Sequence, residues 1–257
     1  MVVALAFVAT VVSSLFAQAM LVRYTGTHRP EYRAWAISLA LFALASVALV
    51  TGTSTGWDRG TFRAFFLLGA VVNVPWLALG TVFLLCSLKT ARRAQWAVVS
   101  FSMFAAGVVL SAPMGPVHGT AIPQGSEVFG ALPRVLAAVG SGVAATVIFV
   151  GAIASAVRFA RDPGVPDRGR LAAANGLIAL GTLVLSSGGL VQGILGHDEA
   201  FALSLAVGVT IIYAGFVLAS GSVRESPKSH GEWSNSSSRL GATPIEDHER
   251  PPGGSSH

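Results

Sequence analysis

The chain has a single cysteine, Cys86, among 257 residues. It can form no disulfide within itself and holds no cysteine-based metal cluster. Charge is equally scarce. Only 11% of residues are Asp, Glu, Lys or Arg, against about 25% in soluble domains. A chain this apolar, with mean hydropathy +0.66, lacks the polar groups to cover its own surface, so lipid is the expected solvent. The net charge of +5 does not indicate nucleic acid, because the basic residues sit in short clusters between apolar runs and not along one face.

Other absences narrow the chemistry. The last apolar run has no lysine for a retinal Schiff base. No apolar run contains a histidine for haem ligation or a carboxylate to carry protons or sodium. There is no phosphate loop and no G-x-S-x-G elbow. Ser186-Ser187-Gly188-Gly189 is Gly-rich but lies inside an apolar run and reads as packing. No activated nucleophile or base at depth can be named, so an enzyme is the less favoured reading, and no cofactor or metal is assigned.

What is present are apolar runs long enough to cross a bilayer, which takes about 20 residues. They fall at 2–22, 34–51, 64–88, 95–112, 135–157, 171–195 and 200–220, none with an internal charge. Runs this long and continuous must be helices, since backbone groups in lipid have to bond within their own segment. The fold class is therefore an all-α membrane protein of seven transmembrane helices. Ala17-Gln18-Ala19 offers a cleavage-like site, but no positive region precedes the first run and Arg23 follows it, so that run is read as a retained span.

The basic residues orient the bundle. Arg23, Arg29, Arg33, Lys89, Arg92, Arg93, Arg158, Arg161, Arg168 and Arg170 flank alternate connections, whereas the opposite connections hold only Arg59, Arg63 and Arg134. The richer side is expected to be cytoplasmic, with the N-terminus outside and the C-terminus inside, in a multi-pass protein of the cell membrane. Residues 1–220 form the membrane domain. Residues 221–257 are Ser, Pro, Gly and charge, and are expected to be a disordered cytoplasmic tail that could dock a protein partner.

At an offset of 136, Ala64, Phe65, Leu67, Ala70, Val71 and Ala78 recur as Ala200, Phe201, Leu203, Ala206, Val207 and Ala214. Ala9-Thr10-Val11 recurs as Ala145-Thr146-Val147. The spans could thus form a parallel repeat of three helices, one linker helix and three helices. Chance coincidence of Ala, Leu and Val is the competing explanation.

The most unusual intramembrane feature is Asn73-Val74-Pro75-Trp76. Pro75 has no N–H, so the Val71 carbonyl loses its helical partner and a kink is expected. Asn73 is placed to bond a freed carbonyl or a neighbouring helix. The choice is between interhelical packing and a ligand cavity lined by Asn73, Pro75 and Trp76. Gln18, Asn175 and Gln192 are the other amides in the spans, and Ser13, Ser14, Ser186 and Ser187 add hydroxyls. All of these serve either as bonds between helices or as cavity lining. Gly189 and Gly193 form a G-x-x-x-G that lets helices approach within the chain. On the outer side, His118, Glu127, His197, Asp198 and Glu199 could gather, though without ligand spacing on one helix. Arg63 and Arg134 are expected to reach headgroups.

The stretch Asn73-Val74-Pro75-Trp76-Leu77-Ala78-Leu79-Gly80-Thr81, with Gly56-Trp57-Asp58 before it, resembles uncharacterised seven-helix integral membrane proteins of actinobacteria over the first three helices. That resemblance implies a lineage and no activity. The 3+1+3 arrangement resembles SWEET and PQ-loop carriers in architecture only. Their Pro-Gln signature is missing from the matching positions, and Pro123-Gln124 lies in an outer connection. Two functions stay open: a non-catalytic scaffold, assembly partner or sensor, or a passive carrier of a small neutral or lipid-like molecule.

The topology is testable directly. Reporters placed at Thr27 and at Ala121 should report opposite compartments, and the chain should need detergent to stay in solution. The same compartment for both tags would overturn the reading.

Overall fold

A computed structural model describes residues 1–161, 168–195 and 198–220. The tail after residue 220 lies outside the described residues. Helix α1 is Val2–Thr27, α2 is Pro30–Thr55 and α3 is Arg59–Phe65. A π-helical segment, Phe66–Val72, continues α3 into α4, Asn73–Leu85. Then come α5 (Leu88–Ser111), α6 (Gly125–Val128), α7 (Ala131–Arg161), α8 (Arg168–Leu195) and α9 (Asp198–Ser220). Among the described residues there is no strand, only an isolated bridge between Met114 and Phe129.

Caps, more than apolarity, set the helix ends, so the helices outrun the apolar stretches. His28 closes α1 in the left-handed region (φ 53°) and its N–H donates to the Tyr24 carbonyl. Pro30 then opens α2, where its missing N–H costs nothing. Asp58 caps α3 by accepting from the N–H groups of Gly60 and Thr61. The Ser87 hydroxyl accepts from Thr90 N–H at the start of α5. Links this short make the neighbouring helices antiparallel.

Among the described residues six helices are long and apolar enough to cross a membrane: Val2–Thr27, Pro30–Thr55, Arg59–Leu85, Leu88–Ser111, Ala131–Arg158 and Asp198–Leu218. The third of these runs through α3, the π segment and α4. Helix α8 spans 28 residues, but its described apolar part is the shorter Gly169–Leu185.

Around the bundle, α1 packs on α2, α2 on α4, α4 on α7, α7 on α8, α8 on α9, and α9 returns to α1. Helix α5 stands outside this ring, against α4, the π segment and α7. The main core joins Phe42, Leu49, Trp57, Phe62, Phe66 and Val109 with Leu205 and Val209 of α9. A second cluster, Phe16, Met20, Leu39 and Ile212, holds α1, α2 and α9 together near the Arg-rich end. The outward faces carry Phe7, Leu15, Trp96, Met103, Phe104, Val139 and Val143, all exposed. In water so much bare apolar surface would aggregate; in lipid it is the natural exterior.

Small residues set the closest contacts. The α8–α9 seam brings Gly181 against Gly208: a Cβ on Gly181 would lie 2.8 Å from the Gly208 carbonyl oxygen and 2.6 Å from Ile212 Cγ1. Gly188 of α8 accommodates Ser204, and Gly215 of α9 faces the Ala174 carbonyl. Close approach of this kind is how helices associate where lipid supplies no hydrophobic drive. Gly189 and Gly193, the motif read from sequence, have side-chain positions outside the described residues.

Gly181→Val should therefore lower stability by about 1–3 kcal/mol, the usual range for overpacking. Thermal unfolding in detergent checks this, and an unchanged midpoint would show that the seam is looser than described.

Candidate functional site

Polar contacts from three neighbouring helices meet at residues 70–76. Pro75 cannot donate to Val71, and its ring crowds that carbonyl. The backbone relieves this by widening the preceding turns into the π segment. The Asn73 N–H donates to the Leu68 carbonyl, five residues back, and such insertions in α-helices mark strained or functional sites. The expected irregularity is present, but in a different form: a wide segment ahead of Pro75. The carbonyl that a side chain takes up is Ala70's, where Val71's was expected. Ser141 of α7 donates to it at 2.6 Å.

Asn73 is buried and meets α2. Ser38 Oγ lies 2.7 Å from Asn73 Oδ1 and 3.0 Å from the Asn73 carbonyl oxygen. One hydroxyl proton cannot fully serve both. Turning the amide by 180° resolves this, since oxygen and nitrogen have the same outline. Asn73 Nδ2 then donates to Ser38 Oγ, and Ser38 O–H donates to the carbonyl. Trp76 reaches the other way, to α5. Its indole N–H donates to Ser102 Oγ at 3.2 Å, and Ser102 O–H donates to the Val98 carbonyl at 2.7 Å. Pro75 is buried between these contacts. One stretch of backbone is thus tied to α2, α5 and α7.

The other amides do not join this site. Gln18 is exposed on α1. Asn175 is half-buried, and its Nδ2 donates to the Leu171 carbonyl of its own helix at 3.0 Å. The Gln192 side chain lies outside the described residues, as does that of Ser186. Ser13 and Ser187 bond carbonyls of their own helices, Ala9 and Val184. The bridging hydroxyls are instead Ser38, Ser102 and Ser141, which sequence reasoning did not single out. A serine in an apolar run bonds its own helix or a neighbour with equal chemical ease, and only packing decides.

A second polar region caps the end of the bundle opposite the Arg-rich links. Residues 113–130 fold onto the bundle, with Val117, Ile122, Val128 and Phe129 buried. The Trp57 backbone N–H donates to the Gly119 carbonyl at 2.8 Å, and the Gly115 backbone N–H to the Val128 carbonyl at 2.9 Å. Asp198 Oδ2 accepts from the Ile122 N–H at 2.8 Å, tying this connection to α9. Beneath lies an aromatic cluster in which Phe62 stacks on Phe129 (centroids 5.8 Å apart) and Phe65 meets Phe201 edge-on at 6.2 Å. Trp57 covers Gly52 so closely that a Cβ there would overlap its ring.

Arg63 was expected to reach for headgroups. Its guanidinium turns inward instead, donating to the Ala112 carbonyl at 2.7 Å and closing the end of α5. A cleft of about 580 Å³ opens here, lined by Trp57, Asp58, Arg59 and the 114–118 segment, including His118. Hydrogen bonds from the Thr61 hydroxyl and the Thr61 and Gly60 N–H groups hold the Asp58 carboxyl below the usual carboxylate range. Among the described residues, no three His, Cys, Asp or Glu side chains gather to hold a metal; His197 is outside them. Compared with protein-family models, with curated proteins and with solved structures, the chain matches none.

The Ser38–Asn73 contact is measurable. A double-mutant cycle with Ser38→Ala and Asn73→Leu should give a coupling of roughly 0.6 kcal/mol, as for interhelical hydrogen bonds in lipid. Asn73→Leu alone should cost more, about 1–3 kcal/mol, because a buried partner is left unmatched. Zero coupling would mean that the two residues do not bond.

Proposed function

We propose that the chain is a non-catalytic membrane protein, a scaffold, assembly partner or sensor, that crosses the bilayer seven times with α8 as its sixth span. Its N-terminus is outside and its tail is cytoplasmic, in the cell membrane. The observation that carries the non-catalytic reading is the use of polar groups at depth. Where the chain puts an amide, an indole and an irregular backbone together, the bonds run to Ser38, Ser102 and Ser141 of neighbouring helices. Groups engaged in this way hold helices in place and are not free to bind a solute. In this reading the tail, residues 221–257, meets a protein partner on the cytoplasmic side.

The alternative, a passive carrier, draws support from the packing order. Exchanging α1, α2 and α3–α4 with α7, α8 and α9 turns the α1–α9 contact into the α7–α4 contact and leaves α5 as the odd helix. The same offset of 136 relates Gly52, under Trp57, to Gly188, under Ser204. This is the pattern of a 3+1+3 parallel repeat, a plan that carriers use.

The two readings separate in one experiment. In proteoliposomes, Asn73→Leu should leave the permeability to small neutral solutes unchanged, and deleting 221–257 should release a partner that co-purifies with the intact chain. Solute flux that the intact chain supports and Asn73→Leu abolishes would sink the scaffold reading in favour of the carrier.

A further inference from the structure

The basic residues at the Arg-rich end are not equivalent. Arg23 lies over the Phe216 ring at 4.7 Å. Arg29 Nε is 2.6 Å from the buried Glu31 carboxylate. Arg170 also has a partner. Arg33, Arg158 and Arg161 are exposed and make no such contact among the described residues, and the same holds for the three cations clustered on α5, Lys89, Arg92 and Arg93. These last three are exposed on the first turns of that helix.

Their spacing puts them on one face. At 100° per residue, positions 89, 92, 93 and 96 fall within an arc of about 100°. The fourth position is Trp96, 72% exposed. The arc continues along the helix through Ser100, Met103 (72% exposed), Gly107 and Leu110 (57% exposed). Gly107 has open space where a Cβ would stand. The residues of α5 that are buried, Ala91, Ala105 and Val109, lie on the opposite side. The stripe therefore points away from the bundle, on the helix that stands outside the ring.

We propose that this face of α5 is a binding site for an anionic phospholipid. Lys89, Arg92 and Arg93 take the headgroup phosphate as charge-assisted donors. Trp96 lies one turn deeper, about 5 Å below Arg92 and Arg93, at the level where indoles settle between headgroup and hydrocarbon. Met103, Gly107 and Leu110 form the track for an acyl chain. The positive end of the α5 dipole adds to the attraction at its first turn. A free phosphate would account for the cations but not for the exposed Trp96 and the apolar track in line with them, so a lipid is the occupant. The site rests on the membrane-spanning reading and is independent of whether the protein is a scaffold or a carrier.

The test uses the full chain in detergent, titrated with phosphatidylglycerol, phosphatidylcholine or inorganic phosphate, with thermal unfolding as readout. Phosphatidylglycerol should raise the midpoint, and the other two should not. Arg92→Gln with Arg93→Gln should weaken the apparent affinity about 25-fold, at about fivefold per cation near a membrane surface. The charge-matched pair Arg23→Gln with Arg33→Gln, on α1 and α2 away from α5, should leave it within a few-fold. If the α5 double variant fails to fold, Lys89→Gln should still show the single-cation loss. The proposal is overturned if both double variants lose the response equally, if inorganic phosphate reproduces it, or if phosphatidylglycerol has no effect. A chain that stays soluble without detergent would instead refute the membrane reading beneath it.

Discussion

The missing N–H of Pro75 is the constraint around which the interior is arranged. A proline deep in a membrane helix leaves backbone groups that lipid cannot satisfy, and each unmet group costs several kcal/mol. The chain answers with a wide π segment at Phe66–Val72 and with hydroxyls brought from outside the helix. The donor to Ala70 comes from α7, the partner of Asn73 from α2, and the acceptor for Trp76 from α5. A local defect in one helix thereby becomes the point at which four helices are registered.

The rest of the bundle follows a different rule. Among the described residues the α8–α9 seam is built on close backbone approach at Gly181, Gly208 and Gly215. The α1–α9 contact is aromatic, with Phe16 against Tyr213 and Phe216. Packing of this kind is available to small and flat side chains whatever the solvent, which suits a bundle whose exterior is as apolar as the lipid around it. Hydrogen bonds appear where the backbone demands them.

The two ends of the bundle are built oppositely. The end opposite the Arg-rich links is covered by its own chain: residues 113–130 fold over an aromatic cluster, Arg63 turns inward to Ala112, and Asp198 fastens the cover to α9. The other end has short links and exposed cations, of which those on α5 have no protein partner among the described residues. One end is thus closed by tertiary contacts, and the other presents charge to whatever lies beside it.

Residue order alone determined the solvent and the broad architecture. Apolar runs without charge, separated by Arg-bearing links, make membrane helices because no other backbone arrangement satisfies itself in hydrocarbon. The irregularity at Asn73-Pro75 was also legible, since a proline removes a hydrogen bond in any context. Tertiary structure alone decided which carbonyl was freed, which serines answered it, and that Gln18 faces outward while Asn73 is buried. It also decided that Arg63 bonds the end of α5. The reason is the same throughout. A hydroxyl, amide or guanidinium has several chemically equivalent partners, and only the placement of helices distant in sequence brings one of them within reach.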